Sequence, residues 1–279
     1  MTGYKKDADA AAGKLTWQGL FYAAAPAFLY TALTNAVHSL LAASGRFSSG
    51  IRLQAVSVSV CLLLFLWYAV RVRLAVRSAD RRKSVYRYPA AFCYVIAVVM
   101  CGIVNNYLFS MIMSVVRNFS SGYFEVVKVF YTNDLWIEIL TLCMIGPAAE
   151  ELVYRGFVYQ RLRERGSQAA AAVWSAFLFG LMHFNLVQGV YAFILGILLA
   201  HIVERTGGLA AAAAAHMAAN LVSVLWTETD WLDLLNQSGN RQYAAALICL
   251  ALMGIFLSYG NRMTQREKSR TAEQNGIKK

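Results

Sequence analysis

Glu150, Glu151 and Arg155 stand inside an otherwise apolar stretch running from about Asp134 to Val158, in the local sequence PAAEELVYRGFVYQRL (Pro147–Leu162). On a helix in lipid each such residue costs roughly 2.5–3.5 kcal/mol near the bilayer centre on insertion scales. Three of them within six positions need a reason. Glu151 and Arg155 are four apart, so they share a helical face and can pair, whereas Glu150 points about 100° away from Glu151. Arg155 can thus neutralise one carboxylate and leave the other for chemistry. A buried ion pair that only tethers helices is the simpler alternative, and polar residues further along weigh against it.

The chain has only four histidines. His183 lies in FLFGLMHF, four residues after Phe179 and on its helix face; His216 lies in AAAHMAANL with Asn220 four residues later, again on one face. His38 and His201 read as interhelical hydrogen-bonders near helix ends. A carboxylate beside an imidazole can take a proton from water and pass it to a leaving amine. A second imidazole and a carboxamide can donate hydrogen bonds to a developing oxyanion. Together they suit hydrolysis of a peptide bond. The same Glu150, His183 and His216 could instead hold Zn²⁺ with an open position for water. No HExxH motif is present, so a metal rests on ligand types alone; Asn220 makes sense as a donor and little as a zinc ligand, which favours the metal-free form.

The elements that must position these groups are membrane helices. Of 279 residues, 58% are hydrophobic and only 15% charged, and the mean hydropathy is +0.47. A soluble domain carries about 25% charged residues, so the fold class is all-α, a polytopic membrane protein. The five cysteines, Cys61, Cys93, Cys101, Cys143 and Cys249, lie in apolar stretches without CxxC spacing and suggest neither a disulfide framework nor a thiolate metal site. Eight segments approach the roughly 20 residues a bilayer requires. They are Trp17–Ala43, Leu53–Val70, Ala90–Val116, Leu135–Tyr159, Ala169–Leu186, Gly189–Val203, Gly208–Trp226 and Tyr243–Tyr259. The first is too long for a signal-peptide core and reads as a retained anchor. Residues 1–14 form a cytoplasmic tail, 15–133 the first three spans, 134–260 a core of five spans, and 261–279 a basic, mobile cytoplasmic tail. The loop Arg117–Asn133 is mixed and suited to the membrane interface.

Placing the N-terminus in the cytoplasm puts twenty of the 26 lysines and arginines on the cytoplasmic side and five outside, with Arg155 buried. That bias supports eight spans with both ends cytoplasmic. It also accounts for the net charge of +11 without a nucleic-acid partner, because these charges border spans. With a helix rise of 1.5 Å, Glu150, His183, His216 and Asn220 fall within about 12–22 Å of the cytoplasmic ends of their spans. Three helices therefore bring them to one level.

EELVYR (Glu150–Arg155) resembles the EExxxR motif of the CPBP intramembrane proteases, the CAAX protease and bacteriocin-processing family. FGLMH (Phe179–His183) resembles its FxxxH motif and HMAAN (His216–Asn220) its HxxxN motif. GILLAHIVERTGGL (Gly196–Leu209) is similar to its glycine-then-RTG connection. The likeness covers Pro147–Val224. It departs mildly at Tyr154 and Gly208, and further in the alanine run before His216. The resemblance implies an intramembrane endopeptidase in which Glu150 activates water with His183 assisting, His216 and Asn220 stabilise the oxyanion, and Glu151 and Arg155 support the site. It implies a membrane-associated peptide or protein as substrate, the bilayer as environment, and either no cofactor or a divalent metal such as zinc. Family members trim the tail after a prenylated cysteine or serve peptide maturation, bacteriocin immunity and control of surface signalling. The compact length fits a bacterial plasma membrane. Two rivals predict other things. A transporter would show inverted repeats and a polar route, which the sequence lacks. A catalytically idle immunity or regulatory protein would keep its function without Glu150.

Overall fold

The computed structural model describes residues 16–45, 49–72, 87–116, 128, 130–131, 134–229 and 240–276. Eight long helices account for nearly all of these, and no strand occurs among the described residues. They are α1 (Trp17–Ala43), α2 (Gly50–Arg71), α3 (Arg87–Val116), α4 (residues 135–163), α5 (Gln168–Leu181), α6 (Leu186–Thr206), α7 (Leu209–Glu228) and α8 (Asn240–Gly276). Each coincides with one expected span. The fold class follows: an all-α, polytopic membrane protein. Expectations for residues 1–14 and most of 117–133 lie outside the described residues.

Six helices, α1, α2, α3, α6, α7 and α8, are long and apolar enough to cross a membrane. The other two, α4 and α5, carry Glu150, Glu151, Arg155 and Phe179, and each departs from a simple span for a physical reason. α5 has 14 residues, a rise of about 21 Å against a hydrocarbon core of about 30 Å. It ends at Leu181, five residues before the expected limit, so His183 lies in a turn beyond the helix. Phe184 there has a φ of 55°, and the Asn185 side chain accepts from the Gln188 N–H at 2.8 Å to start α6. α8 departs in the opposite direction. It continues to Gly276, so most of the basic tail expected to be mobile is helical.

α4 runs through two wide π-helical stretches, Ile139–Ile145 and Leu152–Val158, on either side of the α-helical piece Gly146–Glu151. Pro147 explains the first. Proline has no N–H and its ring crowds the carbonyl four residues back. The chain shifts to five-residue spacing there, with the Gly146 N–H on the Thr141 carbonyl. This helix is the hub of the bundle, packing against α1, α2, α5, α6 and α7, while α8 lies mainly on α3.

Small residues let the helices around it approach closely. α6 ends at Gly207, whose φ of 73° is the left-handed conformation that glycine adopts without strain, and α7 begins two residues later. The RTGG segment is therefore a tight helix-to-helix turn. Between α5 and α6, Gly180 faces Gly189, and a Cβ at Gly180 would stand 2.5 Å from the Gly189 carbonyl oxygen. That neighbour is backbone and can yield only if the helices part. Gly180→Ala should lower stability by about 1–3 kcal/mol, the usual cost of overpacking, read as a fall in the unfolding temperature in detergent.

Candidate active site

Arg155 is fully buried, and its Nη1 donates to Glu151 Oε1 at 2.7 Å. The expected pair on one helical face therefore forms. Its Nη2 donates to the Gly196 carbonyl of α6 at 3.3 Å, and the guanidinium lies 4.6 Å from the centre of the Phe179 ring. Gly196 makes room for it: a Cβ there would reach Ala176 at 2.8 Å and Arg155 Nη2 at 3.3 Å. One side chain thus joins α4, α5 and α6.

Glu151 Oε1 also meets His216 Nδ1 at 2.9 Å. An ionised carboxylate only accepts, so His216 donates through Nδ1. Its Nε2 then turns toward Glu150 Oε2, 3.7 Å away. That separation exceeds a direct hydrogen bond and is within ion-pair range. His216 thus stands between the two carboxylates. Their surroundings differ sharply. The Glu151 side chain is 1% exposed, whereas that of Glu150 is 24% exposed.

The exposure of Glu150 comes from a cavity of about 580 Å³. Glu150, His183, His216 and Asn220 all line it; Glu151 and Arg155 stand behind its wall. Four of the six expected site residues therefore share one space, and the other two brace it. His183 Nδ1 lies 2.8 Å from the Phe179 carbonyl, which can only accept, so this nitrogen carries the hydrogen and Nε2 keeps its lone pair. The non-helical turn bearing His183 is tolerable at membrane depth because Met182, His183 and Phe184 line the cavity rather than lipid alone.

Two features were not legible in the residue types. Phe179 is the centre of the site: its ring meets His183 edge-on at 5.0 Å and His216 edge-on at 5.6 Å, with Tyr154 at 4.9 Å. Its four-residue spacing from His183 was the only signal for it. Asn220 has a partner that no motif discloses, donating to the Leu142 carbonyl at 2.8 Å. In the π stretch that carbonyl would take the N–H five residues on, but the residue there is Pro147. Asn220 supplies the missing donor and still has a second amide hydrogen. The second π stretch is tied to α5 as well: the Tyr154 carbonyl, which takes the Tyr159 N–H, also accepts from Ser175 at 3.1 Å.

Zinc ligands would be Glu150, His183 and His216. Among the described residues no three His, Cys, Asp or Glu side chains form a group that could hold a metal ion.

Residues 132–222 match the family described as type II CAAX prenyl endopeptidase, Rce1-like. No curated protein and no solved structure matches the chain.

Removing Arg155 would leave Glu151 buried without its counter-charge. Arg155→Ala should cost about 3–5 kcal/mol, the typical cost of breaking a buried pair, seen as a large loss of thermal stability in detergent. Asn220→Ala, by orphaning the Leu142 carbonyl, should cost about 1–3 kcal/mol in the same assay.

Proposed function

We propose, from the match of residues 132–222 to the Rce1-like type II CAAX prenyl endopeptidase family, that the chain hydrolyses a peptide bond within the membrane by water activated at Glu150. The observation that carries this reading is the unequal exposure of two adjacent carboxylates: Glu151 is closed off with Arg155, and Glu150 opens into a cavity shared with His183, His216 and Asn220.

The steps follow from the donors and acceptors present. A water between Glu150 and His183 gives its proton to the Glu150 carboxylate, and its oxygen adds to the scissile carbonyl carbon. Charge then collects on the carbonyl oxygen. His216, protonated on both nitrogens, and the second amide hydrogen of Asn220 donate to it. Collapse breaks the C–N bond, and the Glu150 proton passes to the amine. Glu151 and Arg155 do not touch the reacting atoms. They hold His216 by Nδ1 and so aim its Nε2.

Glu150→Gln and His183→Ala should each reduce cleavage of a membrane peptide by about 10²–10⁴, while leaving membrane insertion and unfolding temperature near those of the parent chain. Full biological activity in both variants would replace this reading with a regulatory protein acting through helix contacts. Exhaustive chelation should leave cleavage unchanged. A loss that added zinc restores would transfer the activation of water from Glu150 alone to a metal.

A further inference from the structure

Each helix lining the cavity contributes residues from the middle toward one end. α1 supplies Tyr30 to Asn35, α4 Thr141 to Tyr154, α6 Leu186 to Leu195 and α7 His216 to Thr227. The segments toward the other end, 155–163 of α4, 196–206 of α6 and 209–215 of α7, supply none. The cavity therefore has a floor at Tyr154, Phe179 and His216, and a mouth at the far helix ends, where Asn35 and Thr227 are exposed.

The closed end is the basic one. Arg161 and Arg163 end α4 and Arg165 follows it, Arg205 lies in the last turn of α6, and Arg71 ends α2. This end is also bolted. Tyr159 donates to Glu204 at 2.9 Å and Arg163 donates to the same carboxylate at 3.2 Å. Arg161 donates to the Tyr22 carbonyl at 2.9 Å, and the Arg161 and Arg165 guanidinium groups lie over the Tyr22 ring at 4.4 and 4.6 Å. Across the bundle, on the side of the mouth, the described basic residues are Arg52, Lys128 and Arg241. Lysine and arginine collect on the cytoplasmic side of membrane proteins.

We propose that the cavity opens away from the cytoplasm and that the substrate is a membrane-anchored peptide presented from the extracytoplasmic side. The inference rests on the hydrolytic reading of the Glu150 site. A lipidated tail on the cytoplasmic face would meet the bolted floor instead.

Three cysteine variants of the full chain test the orientation: Thr227→Cys at the mouth, Asn106→Cys in the cavity wall and Ala169→Cys at the basic end. A membrane-impermeant maleimide is applied to right-side-out and to inverted vesicles, with the parent chain, whose five cysteines lie in apolar helices, as background. Thr227→Cys and Asn106→Cys should label in right-side-out vesicles and lose labelling in inverted ones, and Ala169→Cys should do the reverse. Labelling of either cavity cysteine from the cytoplasmic side, or of neither from the outer side, overturns the proposal. The assay needs no turnover. Failure of the endopeptidase reading would show in the Glu150→Gln comparison and leave the labelling pattern as it is.

Discussion

A carboxylate and a guanidinium withdrawn from both water and lipid set the terms for the rest of this bundle. Glu151 and Arg155 are 1% and 0% exposed. A pair so placed is seldom a gain in stability, because desolvation offsets most of the attraction. Its value lies in what it fixes. Glu151 Oε1 serves both Arg155 and His216, so the imidazole donates through Nδ1 and has one direction. Arg155 spends its second arm on the Gly196 carbonyl and its face on Phe179. α5, α6 and α7 are thereby referenced to a single point on α4.

The backbone of α4 is organised for the same end. A regular α-helix of 29 residues would carry its register unbroken from end to end, and the π stretches at Ile139–Ile145 and Leu152–Val158 interrupt it on both sides of the glutamate pair. Such stretches are frequent at functional sites. Here each presents a carbonyl to a neighbouring helix: Leu142, left without an N–H by Pro147, takes Asn220, and Tyr154, already bonded to the Tyr159 N–H, takes Ser175 as well. The extra turn width is thus converted into contacts between helices, and the segment Gly146–Glu151 is held from α7 on one side and α5 on the other.

Periodicity made much of this legible. Four-residue spacing disclosed the Glu151–Arg155 pair, the common face of Phe179 and His183, and the odd direction of Glu150. Hydropathy disclosed all eight helices. What it could not disclose were departures from the regular helix it assumes. His183 was expected on a helical face within the span Ala169–Leu186 and lies in a turn, because α5 stops at Leu181. The partner of Asn220 depends on a missing N–H at Pro147, which matters only once five-residue spacing is known. The polar character of residues 261–276 suggested a loose tail, but polar residues with good helix propensity simply prolong α8 past its apolar part.

The two neighbouring glutamates show why adjacency in sequence can separate roles. A group that must exchange protons with a substrate and with water has to reach both, and a group that must hold an imidazole in place is better sealed from both. One residue of helix rotates the side chain by about 100°, enough here to send Glu150 into the cavity and Glu151 into the packed interior. His216 touches Glu151 with one nitrogen and faces Glu150 with the other, so it carries the order of the sealed side to the wet side. A charge gained or lost at Glu150 is therefore felt at His216 Nε2, the atom that also borders the cavity. The rigid pair and the reactive acid work as one unit because a single ring spans the boundary between them.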